Sequence, residues 1–182
     1  MAYKGKQVFN PQTGQHIRFL KTAKHTSGQL LEMETTYDAF SKEPLTHYHP
    51  KQEEDFMVLT GELTVKFNGT LRVLKTGGKL HIPPGTHHAM WNSSPQKTIV
   101  NWQVRPALNT EYLLETANGL AAAGKIDAAK PNLLQTAILL NKFGEVFRLS
   151  KPPAAIQKIL FCMLTPFAWL AGYRAVYREY ID

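Results

Sequence analysis

The chain reads THYHPKQEEDFMVLTG over residues 46–61. Two histidines, His47 and His49, stand two positions apart, so both side chains point to one face of an extended strand. Two carboxylates follow at Glu53 and Glu54. Imidazole and carboxylate groups are common ligands of transition metals, so a carboxylate that arrives on the next strand, Glu53 or Glu54, is expected to join the two histidines in a metal site.

A second histidine pair lies in PPGTHHAMWN, residues 83–92. The Pro-Pro-Gly run predicts a turn, and a short strand follows it. His87 and His88 are neighbours on that strand, so their side chains face opposite ways and one of them can join the first pair. Three imidazoles and one carboxylate are typical of Fe, Mn, Ni, Cu or Zn sites with one or two positions left open.

Together the two stretches resemble the paired motifs of the cupin superfamily. The first motif is His-x-His, three or four residues, Glu, six residues, Gly; the second is Gly, five residues, Pro-x-Gly, two residues, His, three residues, Asn. The matching positions are His47, His49, Glu54, Gly61, Gly77, Pro83, Gly85, His88 and Asn92. One departure is Ser41, which stands where the family often has a glycine six positions before the first histidine.

The resemblance implies a mainly β fold, a cupin-type double-stranded β-helix (jelly-roll barrel), with one divalent transition metal ion inside. The ligands that it implies are His47, His49, Glu54 and His88. Glu53 fits the three-residue variant of the first motif, but only Glu54 keeps Gly61 in register. The resemblance also implies turns at Gly61 and Gly85, and Asn92 shares the strand parity of His88, which predicts that it faces the barrel interior.

The region around the motifs alternates apolar and polar residues in short segments, as β-strands do. Strands are predicted over residues 15–21, 29–37, 55–59, 62–67, 71–75, 79–82, 87–91 and 98–104. Asn68-Gly69, between two such segments, predicts a tight hairpin. The pattern changes after Pro106, so we expect a barrel domain of residues 1–106 and a helical extension of residues 107–182 that packs on the barrel or on a partner subunit.

In the extension, helices are predicted from Asn109 to Gly124, from Pro131 to about Gly144, and after Pro152. Residues 159–173 carry no charge, but this run is shorter than a membrane span and Thr165-Pro166 predicts a break into two helices. Cys162 is predicted to lie in the core. The apolar and aromatic terminal residues predict a homodimer interface, with contact to a membrane surface as the alternative.

Composition narrows the function classes. Seven histidines and one cysteine among 182 residues exclude an internal disulfide and a thiolate zinc site, and they agree with a cytoplasmic location. The net charge of +7 is spread along the chain without a basic run, so no nucleic-acid partner is expected.

We therefore expect a metal-binding cupin that acts on a small molecule, as a metal-dependent oxidoreductase of the dioxygenase type. The alternatives are a metal-dependent isomerase or lyase, in which the metal is a Lewis acid, and a non-catalytic cupin that senses a small molecule. Glu54 is the candidate catalytic group, if it exchanges between metal binding and proton transfer. His16, His25, His81 and His87 are assigned no ligand role.

Overall fold

The computed structural model describes residues 1–126 and 132–181. Up to residue 105 the regular structure consists of strands apart from a short 3-10 helix at Ala23–Thr26, and helices predominate after it. The strands are β1 Gln7–Asn10, β2 Gln15–Lys21, β3 Leu31–Tyr37, β4 His47–Tyr48, β5 Glu53–Thr60, β6 Glu62–Phe67, β7 Thr70–Lys75, β8 Lys79–Ile82, β9 His88–Trp91, β10 Thr98–Arg105 and β11 Arg148–Leu149. The helices are α1 Thr110–Ala122, α2 Leu133–Lys142, α3 Ala154–Leu170 and α4 Arg178–Ile181.

Two antiparallel sheets make up the β-region. One sheet has the order β1-β2-β3-β10-β5-β8 and the other has the order β11-β4-β9-β6-β7. One apolar cluster takes side chains from both, among them Met33 and Val100 from the first sheet and Leu63 and Val65 from the second. The sheets therefore pack face to face, and the predicted mainly β, jelly-roll-type fold with C-terminal helices is confirmed.

The side chains of the central strands alternate between core and exterior. Along β3 every second residue is buried from Leu31 to Tyr37, and β10 follows the same pattern from Thr98 to Val104. On β5 this alternation places Glu54 on the inner face, next to Phe56 on the same face. Strand periodicity alone thus carries a carboxylate into an apolar core.

Turn chemistry explains how the strands connect. Phe67 pairs with Thr70 across a two-residue loop, in which Asn68 and Gly69 both have positive φ, so the predicted hairpin is confirmed. Gly61 has φ +82°, and a Cβ there would lie 2.7 Å from the Lys97 carbonyl oxygen. That position therefore requires glycine, which accounts for its place in the first motif.

Predicted strand positions agree closely with the structure, whereas two short strands were missed. β1 is a four-residue edge strand, and β11 is a two-residue strand inside the helical extension, where it pairs with β4. Strands this short carry too few alternating positions to produce a sequence signal. The division into residues 1–106 and 107–182 stays a prediction, since β11 joins the extension to the second sheet.

The extension is fastened to the barrel by buried polar contacts. Lys6, just before β1, pairs with the buried Glu115 of α1 at 2.6 Å. The Glu111 carboxylate accepts the Ala23 N–H at 3.0 Å. α2 begins after its cap Asn132, and the predicted opening residue, Pro131, lies outside the described residues.

Two expectations about the last third of the chain were wrong. α3 runs unbroken through Pro166, although an interior proline removes a helix hydrogen bond and crowds the preceding turn, because Phe161 and Leu164 before it pack beside α2 and Ala168 after it is fully buried. Thr165 does not act as a cap; its hydroxyl donates to the Phe161 carbonyl oxygen at 2.6 Å. Cys162 is exposed, since it lies on the face of α3 turned away from α2. Within residues 1–126 and 132–181, no helix has the length and apolarity to cross a bilayer.

Candidate metal centre

The candidate centre lies where the two sheets face each other. β4 and β9 are neighbours in the second sheet, and His47 lies directly opposite His88 in their register. His49, directly after β4 and two residues beyond His47, lies on the same side. Glu54 reaches the cluster from β5 of the first sheet. One potential ligand atom from each of His47, His49 and His88 lies within 4.8 Å of the others.

Each of the three imidazoles is oriented by a backbone carbonyl. The Nδ1–H of His47 donates to the Leu45 carbonyl oxygen at 2.9 Å, and the Nδ1–H of His88 donates to the Thr86 carbonyl oxygen at 2.9 Å. A carbonyl only accepts, so Nδ1 carries the proton and Nε2 presents a lone pair in the neutral ring. The third histidine, His49, makes the same bond with the Val146 oxygen. This arrangement of Nδ1 bonded outward and Nε2 free inward is typical of histidines that bind metals.

Glu54 completes a set of donors with spacings that suit a shared cation. Its Oε2 atom lies 3.0 Å from His88 Nε2 and 3.3 Å from His49 Nε2. Ligands about 2.1 Å from one ion are roughly 3.0 Å apart at octahedral angles and roughly 3.4 Å apart at tetrahedral angles. The observed separations fall in that range.

The same atoms are buried without hydrogen-bond partners. His49 Nε2 and Glu54 Oε2 are both buried and unsatisfied, although they face each other. Leaving a buried polar atom unpaired costs about 1–3 kcal/mol, and more for a charged one. A cation between them satisfies both at once, so the residues fit a bound metal ion.

The electrostatics of the cluster agree with that reading. Burial, together with the neighbouring His88 and His49 rings, lowers the pKa of His47 to about 3, which keeps it neutral. Against the effect of burial, the Glu54 carboxylate raises the pKa of His49. Burial alone would raise the pKa of Glu54, but the His49 and His88 imidazoles hold it well below its usual range. The cluster thus has one fixed negative charge that demands a positive charge beside it.

A tryptophan holds the other oxygen of Glu54. Trp102 of β10 donates from Nε1 to Glu54 Oε1 at 2.9 Å, and both side chains are buried. The indole also stacks on Phe56, with ring centroids 5.7 Å apart. The sequence carries no signal for this contact, because it depends on the pairing of β10 with β5.

Of the two neighbouring glutamates, Glu54 faces the histidines. Glu53 has the opposite strand parity and pairs in register with Arg105. The motif residue Asn92 is buried, but its side-chain amide donates to the carbonyl oxygens of Asp38 and Gln96. Its role is to hold the loop after β9 rather than to face the donor set.

The remaining histidines lie away from the donor set. The imidazole of His87 bonds to the Ser150 hydroxyl at 2.6 Å, and that of His81 pairs with Asp55 on the outside of the first sheet. His16 stacks on Phe9. No ligand role was predicted for these residues.

Comparisons with known proteins find matches for the β-region. Residues 34–102 match the family model described as "Cupin domain". Oxidoreductase macE of Penicillium terrestre is 43% identical over 56 residues, which are 30% of this chain and 22% of macE. Probable oxidoreductase virH of Hypocrea virens is 27% identical over 97% of this chain and 86% of its own length. The solved structure of KdgF from Halomonas sp. has a TM-score of 0.49 at 16% identity, over 58% of this chain and 91% of that protein.

The matches differ in how much of each protein they cover. The chain spans only 22% of the length of the first three curated relatives it matches, all of them named oxidoreductases. The virH match extends through the helical region as well.

Proposed function

The barrel of this chain belongs to the cupin superfamily, and on that premise we propose that it binds one divalent transition metal ion. The proposed ligands are His47, His49, His88 and Glu54. One observation carries the proposal: three imidazoles have their Nδ1 atoms committed to backbone carbonyls and each offers a ligand atom within 4.8 Å of the others, while His49 and His88 Nε2 lie 3.3 and 3.0 Å from a buried carboxylate oxygen of Glu54.

We further propose that the protein is a metal-dependent oxidoreductase of the dioxygenase type that acts on a small molecule. A redox-active metal such as Fe, Mn, Ni or Cu would supply electron transfer between a bound substrate and O₂, whereas Zn would supply Lewis acidity only. The support is the donor set, which leaves one or two coordination positions for small molecules, together with the oxidoreductase names of the curated relatives.

The chain's own residues would hold the site in one protonation state. The Trp102 N–H stabilises Glu54 as an anion, and the Nδ1 bonds hold the histidines in the tautomer that can bind a cation. The proton-transfer role predicted for Glu54 stays a prediction. A Glu54→Gln variant that keeps both its metal content and full turnover would contradict a role for Glu54 in proton transfer.

Metal content is the first test. Full-length protein purified without added metal is analysed for elements, beside His88→Ala and a matched control, His25→Ala. His25 is an exposed histidine whose ring bonds to the Thr22 hydroxyl. We expect about one metal per wild-type and His25→Ala chain and a large loss in His88→Ala. Equal metal in all three, or metal in none, would contradict the proposed site.

The reaction class is tested by oxygen. Metal-loaded protein is mixed with phenols, flavonols, diketones and thiols in air and under nitrogen, with O₂ uptake and product formation followed together. The dioxygenase type predicts uptake that depends on one of these substrates. Turnover that continues under nitrogen supports the isomerase or lyase alternative instead, and ligand-induced stabilisation without product supports sensing.

We also propose that two copies associate through α3. Seven large apolar residues on this helix are between 37% and 75% exposed: Ile156, Ile159, Leu160, Met163, Phe167, Trp169 and Leu170. With ordinary side-chain areas their exposed parts amount to about 800 Å², which is what one partner of a standard protein interface buries. A second copy would cover this face with the same residues about a two-fold axis.

Light scattering tests the dimer. We expect a dimer for the wild type, a monomer for Met163→Glu, and a dimer for the control Leu71→Glu, because Leu71 is equally exposed on β7, away from α3. A wild-type monomer that sediments with anionic phosphatidylserine vesicles would instead support a membrane surface as the partner.

A cytoplasmic location is proposed as well. It is supported by the lone thiol, Cys162, which is exposed and needs a reducing compartment to stay free. Fractionation of the native cells tests it, and recovery from a secreted or membrane fraction would contradict it.

A further inference from the structure

The segment between α2 and α3 passes directly over the proposed histidine ligands. We call residues 145–150 the strap. Its strand β11 pairs with β4, with Leu149 opposite His47, and the Ser150 N–H donates to the Thr46 carbonyl oxygen at 3.0 Å. The strap lies outside residues 34–102, the part of the chain that matches the family model.

Two strap residues touch the proposed ligands. The Val146 carbonyl oxygen accepts the Nδ1–H of His49. The Phe147 ring stacks on His47, with centroids 4.6 Å apart and planes 22° apart, and it meets His49 edge-on at 6.2 Å. The main chain of the strap therefore orients one imidazole, and its aromatic side chain covers another.

Anchors at both ends hold the strap in place. At its start, Lys51 pairs with Glu145 at 2.7 Å. Val146 is fully buried in an apolar cluster with Phe143 of the α2 C-cap. At its end, the Ser150 hydroxyl bonds to the His87 ring at 2.6 Å.

The cover over the cluster is tight. His47 and Phe147 are both half-buried, whereas His49 and His88 are nearly inaccessible to solvent. His47 is thus the most accessible of the three imidazoles, and the Phe147 ring lies on it.

We propose that the strap is part of the metal centre. Phe147 is a positioning residue that keeps water and chelators away from His47, and Val146 fixes the tautomer of His49, so the helical extension controls how long the metal stays bound. This inference rests on the metal site proposed above, and it assigns a role to residues far along the chain from the paired motifs. Groups that orient metal ligands typically affect metal affinity about 10- to 100-fold when they are altered.

Phe9 supplies a matched control. Its ring stacks on His16 with centroids 4.2 Å apart and planes 21° apart, which is the same kind of Phe–His contact on another part of the barrel. Phe9→Ala therefore removes an equivalent stack without touching the cluster.

The experiment measures zinc loss. Full-length protein is loaded with Zn²⁺ alone, and transfer of the ion to an excess of a chromogenic chelator is followed in time. We expect Phe147→Ala to release zinc about 10- to 100-fold faster than the wild type, and Phe9→Ala to stay within about twofold of it. Phe147→Leu, which keeps apolar bulk without the ring, provides a second variant should the alanine variant fail to fold.

The outcomes separate the two proposals. Equal zinc-release rates for folded Phe147→Ala or Phe147→Leu and for Phe9→Ala would overturn the role of the strap and leave the metal site standing. Failure of the wild type to take up one zinc per chain would overturn the metal site itself. Urea unfolding of the metal-free variants completes the test, because a purely structural role for Phe147 would change stability without changing zinc release.

Discussion

Replacing Trp102 by phenylalanine tests the link between the barrel core and the metal ligands. The substitution keeps an aromatic ring beside Phe56 but removes the indole N–H that donates to Glu54 Oε1 at 2.9 Å. Glu54 is 1% exposed, so water cannot replace the lost donor without rearrangement. The carboxylate would then stay buried with both oxygens short of partners.

The expected cost has two parts. A hydrogen bond to a charged group contributes about 1.5–3 kcal/mol. The smaller ring also leaves roughly 40 Å³ unfilled, which adds about 1 kcal/mol. Trp102→Phe should therefore lower the free energy of unfolding of the metal-free protein by about 2.5–4 kcal/mol in total.

Urea unfolding of metal-free protein measures this value, and a double-mutant cycle isolates the hydrogen bond. Glu54→Met replaces the carboxylate by an apolar side chain of similar length, so Trp102→Phe in that background should cost only the packing part. The coupling energy between the two sites is expected to be about 1.5–3 kcal/mol. A control, Trp91→Phe, alters a half-buried indole on β9 and should cost less than about 1 kcal/mol. A coupling energy below about 0.5 kcal/mol would falsify the argument and reduce Trp102 to a packing residue.

Two further predictions concern α1, at its contact with the barrel and at its contact with α4. Burial raises the pKa of Glu111, although the hydrogen bond from the Ala23 N–H opposes the shift. The native state therefore keeps this proton to higher pH than the unfolded state does. As the pH rises above about 4.5, ionisation of the buried carboxylate lowers the stability of the native state. Glu111→Gln, whose side-chain oxygen still accepts that N–H, should raise the free energy of unfolding at pH 7 and make it fall less between pH 4 and 8. Urea unfolding at several pH values measures this. A variant whose free energy of unfolding depends on pH as steeply as that of the wild type would contradict it. Gly119→Ala should destabilise the protein by about 1–3 kcal/mol, because a Cβ there overlaps the Tyr180 ring and must push α4 off α1. Thermal melting and protease cleavage of the last residues measure that change, and an unaltered melting temperature with the same cleavage pattern would show that the ring adapts freely.

Local pattern predicted most of the barrel because strands and tight turns are local structures. Strand alternation, Asn68-Gly69 and Gly61 each depend on a few neighbouring residues, and the structure confirms the hairpin and the need for glycine at position 61. Motif spacing, which keeps Gly61 in register, favoured Glu54 over Glu53, and in the structure the alternation of β5 puts Glu54 on the inner face. These features follow from backbone geometry that any sequence of this pattern would share.

The errors occurred where packing overrides a local signal. Thr165-Pro166 is a good helix start in isolation, yet α3 continues through it because Phe161 before the proline packs beside α2 and Ala168 after it is buried. Cys162 has apolar neighbours in sequence but lies on the face of α3 away from α2. Which face of a uniformly apolar helix is buried depends on its neighbours, and periodicity cannot report it.

By itself, the sequence determined the fold class, the donor types and their spacing, since those depend on strand parity and on motifs within residues 47–92. Only the tertiary structure decided what surrounds the donors: Trp102 on Glu54, the Val146 carbonyl on His49 and the Phe147 ring on His47. The last two contacts join residues about a hundred positions apart, and the pairing of β11 with β4 brings them together. The entropy cost of closing a loop grows only slowly with its length, so the fold can include contacts between such distant residues. These contacts leave no local pattern in the sequence.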